Sequence, residues 1–81
     1  MTIREHLQEI RIQMEESCRK AGRDPKEVTL IAVSKTKPVD MLQEAYQAGA
    51  RQFGENKVQE LLGKIPQMPQ DVDWHLIVEL L

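Results

Sequence analysis

Val28-Thr29-Leu30-Ile31-Ala32-Val33, followed by Ser34-Lys35-Thr36-Lys37-Pro38, is the stretch on which the reading of the fold turns. The first six residues are nearly all apolar and rich in branched side chains, without period-2 alternation. Such a run suits a strand covered on both faces, as in a parallel sheet. The polar segment after it reads as the loop leaving the strand's carboxyl end. Pro38 then opens an amphipathic helix, with Val39, Leu42, Ala45, Tyr46 and Gly49 on one side or at its end.

Working outward from that stretch, the same alternation continues. Toward the N-terminus, Thr2 and Glu5 have the T-x-x-E spacing of a capping box. Ile3, Leu7, Ile10, Met14, Cys18 and Ala21 follow on one stripe of a 3.6-residue helix, opposite a charged face, and Gly22 is a natural stop. Asp24-Pro25 begins a short turn. Toward the C-terminus, a strand is predicted over Arg51 to Gly54, centred on Phe53. Asn56 with Gln59 resembles a helix cap ahead of the Val58, Leu61, Leu62 and Ile65 set, and Trp74 to Val78 reads as a third strand. Residues Glu79-Leu80-Leu81 are expected either to continue it or to fray. The order is helix, strand, helix, strand, helix, strand, with a period of roughly 20 to 25 residues per strand-plus-helix, which is that of a βα repeat. The expectation is an α/β fold with a parallel sheet: an N-terminal helix and about three strands of an incomplete (β/α) TIM-type barrel, whose complete form runs to about 250 residues.

Composition narrows the function classes. The chain has 81 residues, 41% hydrophobic and 30% charged, which is globular rather than disordered. Eleven Lys/Arg against 13 Asp/Glu give a formal charge of −2, so no general footprint for nucleic acid is present. The single cysteine, Cys18, makes no internal disulfide and reads as a small packed hydrophobe. No apolar run is long enough to span a membrane and no secretory leader is visible, so the expected compartment is the cytoplasm. No cluster of His, Cys, Asp and Glu has metal-site spacing.

The chemistry-bearing residue is Lys35, because a lysine sits where a buried strand emerges, and ligands of α/β folds gather at that end. A lysine there forms an imine when its amine is neutral. Desolvation and a nearby cation both favour a neutral amine, and Lys37 follows two residues later, on the same side if the chain is extended. On sequence physics alone a solvated lysine in a charged loop is the stronger reading, since position in a fold does not establish function.

Three strings carry a resemblance. Leu30-Ile31-Ala32-Val33-Ser34-Lys35-Thr36-Lys37-Pro38 resembles the first-strand signature of the pyridoxal phosphate homeostasis proteins. Ala48-Gly49-Ala50-Arg51-Gln52-Phe53-Gly54-Glu55-Asn56-Lys57-Val58-Gln59-Glu60 resembles that family's A-G-x-x-x-F-G-E-N-x-x-Q-E, and Trp74-His75-Leu76-Ile77 its W-H-x-I. The resemblance implies a pyridoxal-phosphate-binding fold like the N-terminal barrel of alanine racemase, with residues 1–81 as the N-terminal portion of a single barrel. It implies that Lys35 carries pyridoxal 5′-phosphate as an imine, in vitamin B6 homeostasis and without established catalytic turnover. It also implies that Asn56, on the same face, contacts the cofactor, a role compatible with helix capping. His75 is a possible pocket residue, with a half-buried, hydrogen-bonded histidine as the plainer expectation; His6 is expected on the surface and Trp74 in the core.

Val78-Glu79-Leu80-Leu81 departs from the family pattern, which continues with glycine and a leucine-glutamine pair, so a truncated chain is expected. The phosphate-holding end of the site would then lie outside it. Two other readings stand beside the carrier. One is a racemase-like enzyme using pyridoxal phosphate, for which no second acid/base group is assignable here. The other is a non-binding fragment or interaction module that self-associates through open sheet edges.

Overall fold

The computed structural model describes residues 2–78. In order along the chain these form α1 (Ile3–Lys20), β1 (Ala32–Val33), α2 (Val39–Gln47), β2 (Gln52–Glu55), α3 (Val58–Lys64) and β3 (Asp73–Leu76). Short 3₁₀ turns stand at Pro25–Glu27 and Ile65–Gln67. The strands make one parallel sheet in the order β1-β2-β3. Parallel neighbours require a crossover, and α2 and α3 supply the two needed. Three parallel strands laid down in sequential order match the opening of a βα barrel. The fold is α/β, an arc of a TIM-type barrel preceded by a helix.

The predicted ends of α1 are present. Thr2 Oγ1 accepts from the Glu5 N–H at 3.1 Å. The reciprocal bond differs from the usual capping box, since Glu5 Oε1 accepts from the Thr2 hydroxyl at 3.1 Å. At the other end Gly22 has φ 69°, the Arg23 N–H reaches Cys18 O at 2.8 Å, and the Gly22 N–H reaches Arg19 O at 3.2 Å. That pair of bonds is a Schellman stop. Of the apolar stripe Cys18 is buried, Ile3, Leu7, Ile10 and Met14 are half-buried, and Ala21, at the helix end, is exposed. α1 packs along α2, whose last turn has no basic residue of its own. Arg4 and Arg11 of α1 supply the missing cations, donating to Gln47 O at 3.1 Å and Ala48 O at 3.3 Å.

Strand register sorts the side chains into rows. Ala32, Phe53 and Trp74 lie side by side, and Val33, Gly54 and His75 form the next row. Successive rows face opposite sides of the sheet. The first row faces the helices, where Phe53 is 1% exposed and clusters with Leu42, Ala50, Met68 and Val72. Trp74 flanks this cluster as the core anchor expected of it, its ring centroid 5.8 Å from that of Phe53. A surface latch ties α2 and β2 to the segment before β3. In it the Arg51 guanidinium stacks on Tyr46 at 3.7 Å, the Tyr46 hydroxyl donates to Asp71 at 2.6 Å, and Arg51 Nε pairs with Asp71 at 3.2 Å.

Two expectations are corrected. The apolar run Val28 to Val33 is not a long strand covered on both faces. Only Ala32 and Val33 join the ladder, and Val28 and Val33 are exposed, because β1 has a neighbour on one side only among the described residues. In α3 the set Val58, Leu62 and Ile65 faces outward rather than into the core; Leu61 and the buried Lys64 turn inward instead. A buried ionic partner for Lys64 on β2 accounts for that rotation, as described below. The third strand begins one residue early, at Asp73, and the Ile77 N–H extends its ladder to Glu55 O at 2.7 Å. The expectation for Glu79-Leu80-Leu81 lies outside the described residues.

Candidate functional site

β1 leads directly into a turn that displays Lys35. The Lys37 N–H donates to Ser34 O at 3.1 Å, closing residues 34–37 as a β-turn. Thr36, at its third position, has φ 64°. A β-branched residue in the left-handed region is strained by about 1–3 kcal/mol and persists only where its surroundings determine it. Here they do. The Thr36 N–H donates to Glu60 Oε1 at 2.9 Å. Ser34, 3% exposed, donates through its N–H and its hydroxyl to Gly54 O at 2.9 and 3.1 Å.

Beneath the turn lies a buried ionic group. Lys64 Nζ donates to Ser34 O at 2.9 Å, to the two Glu55 oxygens at 3.0 and 3.1 Å, and to Glu60 Oε1 at 3.1 Å. The Ser34 hydroxyl shares its single proton between Gly54 O and the Glu55 carboxylate. Glu55 is fully buried and Lys64 is 6% exposed. Such pairs add little net stability, because desolvation offsets the attraction, but they penalise any arrangement that leaves one charge alone. Among the described residues no buried side-chain polar atom lacks a partner. The Thr36 N–H, and after it the Lys64 ammonium, hold the Glu60 carboxyl below its ordinary range.

Extending the row of Val33, Gly54 and His75 by two residues reaches Lys35, Asn56 and Ile77. These three, with Val78, line a cavity of about 220 Å³ at the carboxyl edge of the sheet. Gly54 lies beneath it: a Cβ there would meet Ile77 Cδ1 at 2.5 Å and Ile31 Cγ2 at 3.2 Å. Lys35 is half-buried and Asn56 exposed. Asn56 is not the helix cap its spacing resembles. Lys57 occupies that position, and α3 has no side-chain cap bond.

Lys37 is corrected as a neighbour of Lys35. The turn breaks the extended path, so Lys37 lines a separate apolar cavity of about 450 Å³ with residues that include Leu7, Leu30 and Met41. His75 is half-buried, its Nε2 2.6 Å from Gln52 Oε1, which is the bonded histidine expected. His6 is exposed and Cys18 buried, also as expected. No group of three His, Cys, Asp or Glu residues fit for a metal ion occurs among the described residues, and no described helix is long and apolar enough to cross a membrane. Sequence reasoning missed Glu55, Glu60 and Lys64. The signal for part of it was present, since Glu60 and Lys64 have the i, i+4 spacing of a helical ion pair.

The four lining residues offer a primary amine, an amide that both donates and accepts, and two aliphatic walls. That set fits covalent capture of a small aldehyde with one polar contact beside it. The cavity falls below the roughly 300 Å³ at which enclosed small-molecule pockets begin, and among the described residues Lys35 is the only cation lining it. It matches the reactive end of a ligand rather than the whole of one.

Fold and site together define the class: an arc of a parallel βα barrel that presents a lysine at the carboxyl edge of its strands. The chain's sequence similarity is to proteins named pyridoxal phosphate homeostasis protein. It is 46% identical over 77 residues to the one from Pseudomonas aeruginosa, covering 94% of this chain and 34% of that protein. With the Schizosaccharomyces pombe protein the identity is 51% over 79 residues, covering 98% and 31%. With that of Escherichia coli K12 it is 43% over 79 residues, covering 93% and 34%. The chain thus spans about a third of the length of the curated relatives it matches. No family model matches. Among solved structures, PipY of Synechococcus elongatus PCC7942 with pyridoxal phosphate bound superposes with a TM-score of 0.61 at 42% identity, over 84% of this chain and 33% of PipY. Its form without the cofactor gives 0.63 at 41%. A protein from Bifidobacterium adolescentis superposes over 98% of this chain and 37% of its own with a TM-score of 0.81 at 24% identity, a likeness of fold alone.

Proposed function

We propose that residues 1–81 are the N-terminal portion of a single barrel that binds pyridoxal 5′-phosphate and serves vitamin B6 homeostasis as a carrier in the cytoplasm. In this reading Lys35 holds the cofactor as an imine and Asn56 contacts it. The observation that carries the reading is the convergence of Lys35 and Asn56 on one cavity at the strands' carboxyl edge. The names of the relatives and the cofactor-bound PipY structure support the choice of ligand. Lys35 would hold the cofactor through its side-chain amine, and the chemistry the cofactor would supply there is that of an aldehyde, which condenses with a primary amine with loss of water. The amide of Asn56 orients a polar group of the ligand, and the side chains of Ile77 and Val78 exclude water on one side. The open edges of β1 and β3 are where further strands, or a second copy of the chain, would pair.

Titration of the intact protein with pyridoxal 5′-phosphate, followed by visible absorbance, tests the reading. The unaltered protein is expected to develop an imine band that borohydride abolishes, and Lys35→Ala is expected to develop none. A band of equal strength in Lys35→Ala would remove Lys35 from the site. Asn56→Ala is expected to keep the band and weaken binding by roughly tenfold, the effect of one lost polar contact.

A further inference from the structure

The cavity shows where Lys35 lies; what fixes it there is on another element. Both neighbours of Lys35 are tied down, Ser34 by Gly54, Glu55 and Lys64, and Thr36 by the Glu60 carboxylate alone. The Thr36 tie spans 24 residues of sequence and joins the first βα turn to α3. It also opposes a cost, since Thr36 without an acceptor for its N–H has reason to leave the left-handed region. Glu60 itself is aimed by the Lys64 ammonium, 3.1 Å away, and Lys64 is fixed by buried partners.

From this geometry we infer that Glu60 is a positioning residue for Lys35: by accepting the Thr36 N–H it locks the turn that directs the Lys35 amine into the cavity shared with Asn56. The inference rests on the proposed role of Lys35 and adds a residue to it. Glu60 does not line the cavity. Its action is to keep the amine from sampling orientations outside the site. Glutamine retains an acceptor oxygen at the same reach, and alanine does not.

The test combines site-resolved trapping with amide exchange on the intact protein. Pyridoxal 5′-phosphate is added, samples are reduced with borohydride at short times, and labelled lysines are counted by peptide mass spectrometry, with Lys26 and Lys37 as internal references. Glu60→Ala is expected to lower the initial trapping rate at Lys35 by about tenfold, relative to the references, and to speed exchange of the Thr36 amide by at least about tenfold. Glu60→Gln is expected to restore both to within about threefold. Unchanged Lys35 trapping in Glu60→Ala, or equal Thr36 exchange in all three proteins, overturns the inference. If Lys35 of the unaltered protein is not trapped ahead of the references, it is the proposed cofactor role that fails, and Thr36 exchange still decides the lock. Should Glu60→Ala not fold, Glu60→Met keeps the helix propensity and the aliphatic stem and carries the same expectations.

Discussion

Thr36 concentrates the local physics of this molecule in one dihedral angle. Its φ of 64° belongs to glycine by preference, so Thr36→Gly is expected to raise stability, by about 1 kcal/mol in chemical denaturation. No change, or a loss, would mean that the turn holds threonine without strain. The exchange Glu55→Leu is expected to cost about 3 kcal/mol because it takes from the buried Lys64 its buried counter-charge and leaves it the Ser34 carbonyl and the half-exposed Glu60 carboxylate. The double change Glu55→Leu with Lys64→Met should recover most of that loss, since both charges then leave the interior together. The place of Lys35 at the end of β1 was legible in the sequence because a polar loop follows an apolar strand. Glu55 was not, because a carboxylate within a strand run carries no mark of burial until the lysine nine residues later is folded over it.

At the scale of elements, the helices and strands were legible and their faces less so. Periodicity placed α1, α2 and α3 and located all three strands to within a few residues. It missed the rotation of α3, because an apolar stripe is only one of two ways to face a sheet; the Glu55–Lys64 pair outcompetes it. It overstated β1, because an apolar run records what a strand is able to bury and not which neighbours it has. Gly49 shows the junction of elements at its tightest. Its φ is 105°, and a Cβ would sit 3.2 Å from the Arg11 guanidinium that caps α2. Gly49→Ala is therefore expected to destabilise by about 1–3 kcal/mol, read as a lower denaturation midpoint. Gly49→Asn, which tolerates the left-handed region better, should cost no more than alanine despite its larger side chain.

For the whole molecule, acid is the informative variable. Glu60 and Asp71 both have carboxyls lowered by the fold, Glu60 first by the Thr36 N–H and Asp71 first by the Tyr46 hydroxyl. A carboxyl that is lowered in the native state stabilises it above the ordinary value, near 4.5 for Glu60 and 3.8 for Asp71, and loses that contribution as pH falls through the native value. The thermal midpoint is expected to drop between about pH 5 and pH 3, and to drop less in Glu60→Gln. An equal drop in both proteins would show that Glu60 takes no part. The register of the sheet has a consequence for how the chain acquires this structure. Ala32 pairs with Phe53 and Phe53 with Trp74, so each strand meets its partner across the same span of sequence, and always the strand just before it. Every closure is short and depends only on what has already been made. A chain emerging from the ribosome can therefore lay down helix, strand and turn in the order of synthesis, and the Lys35 turn receives its lock only once α3 has emerged.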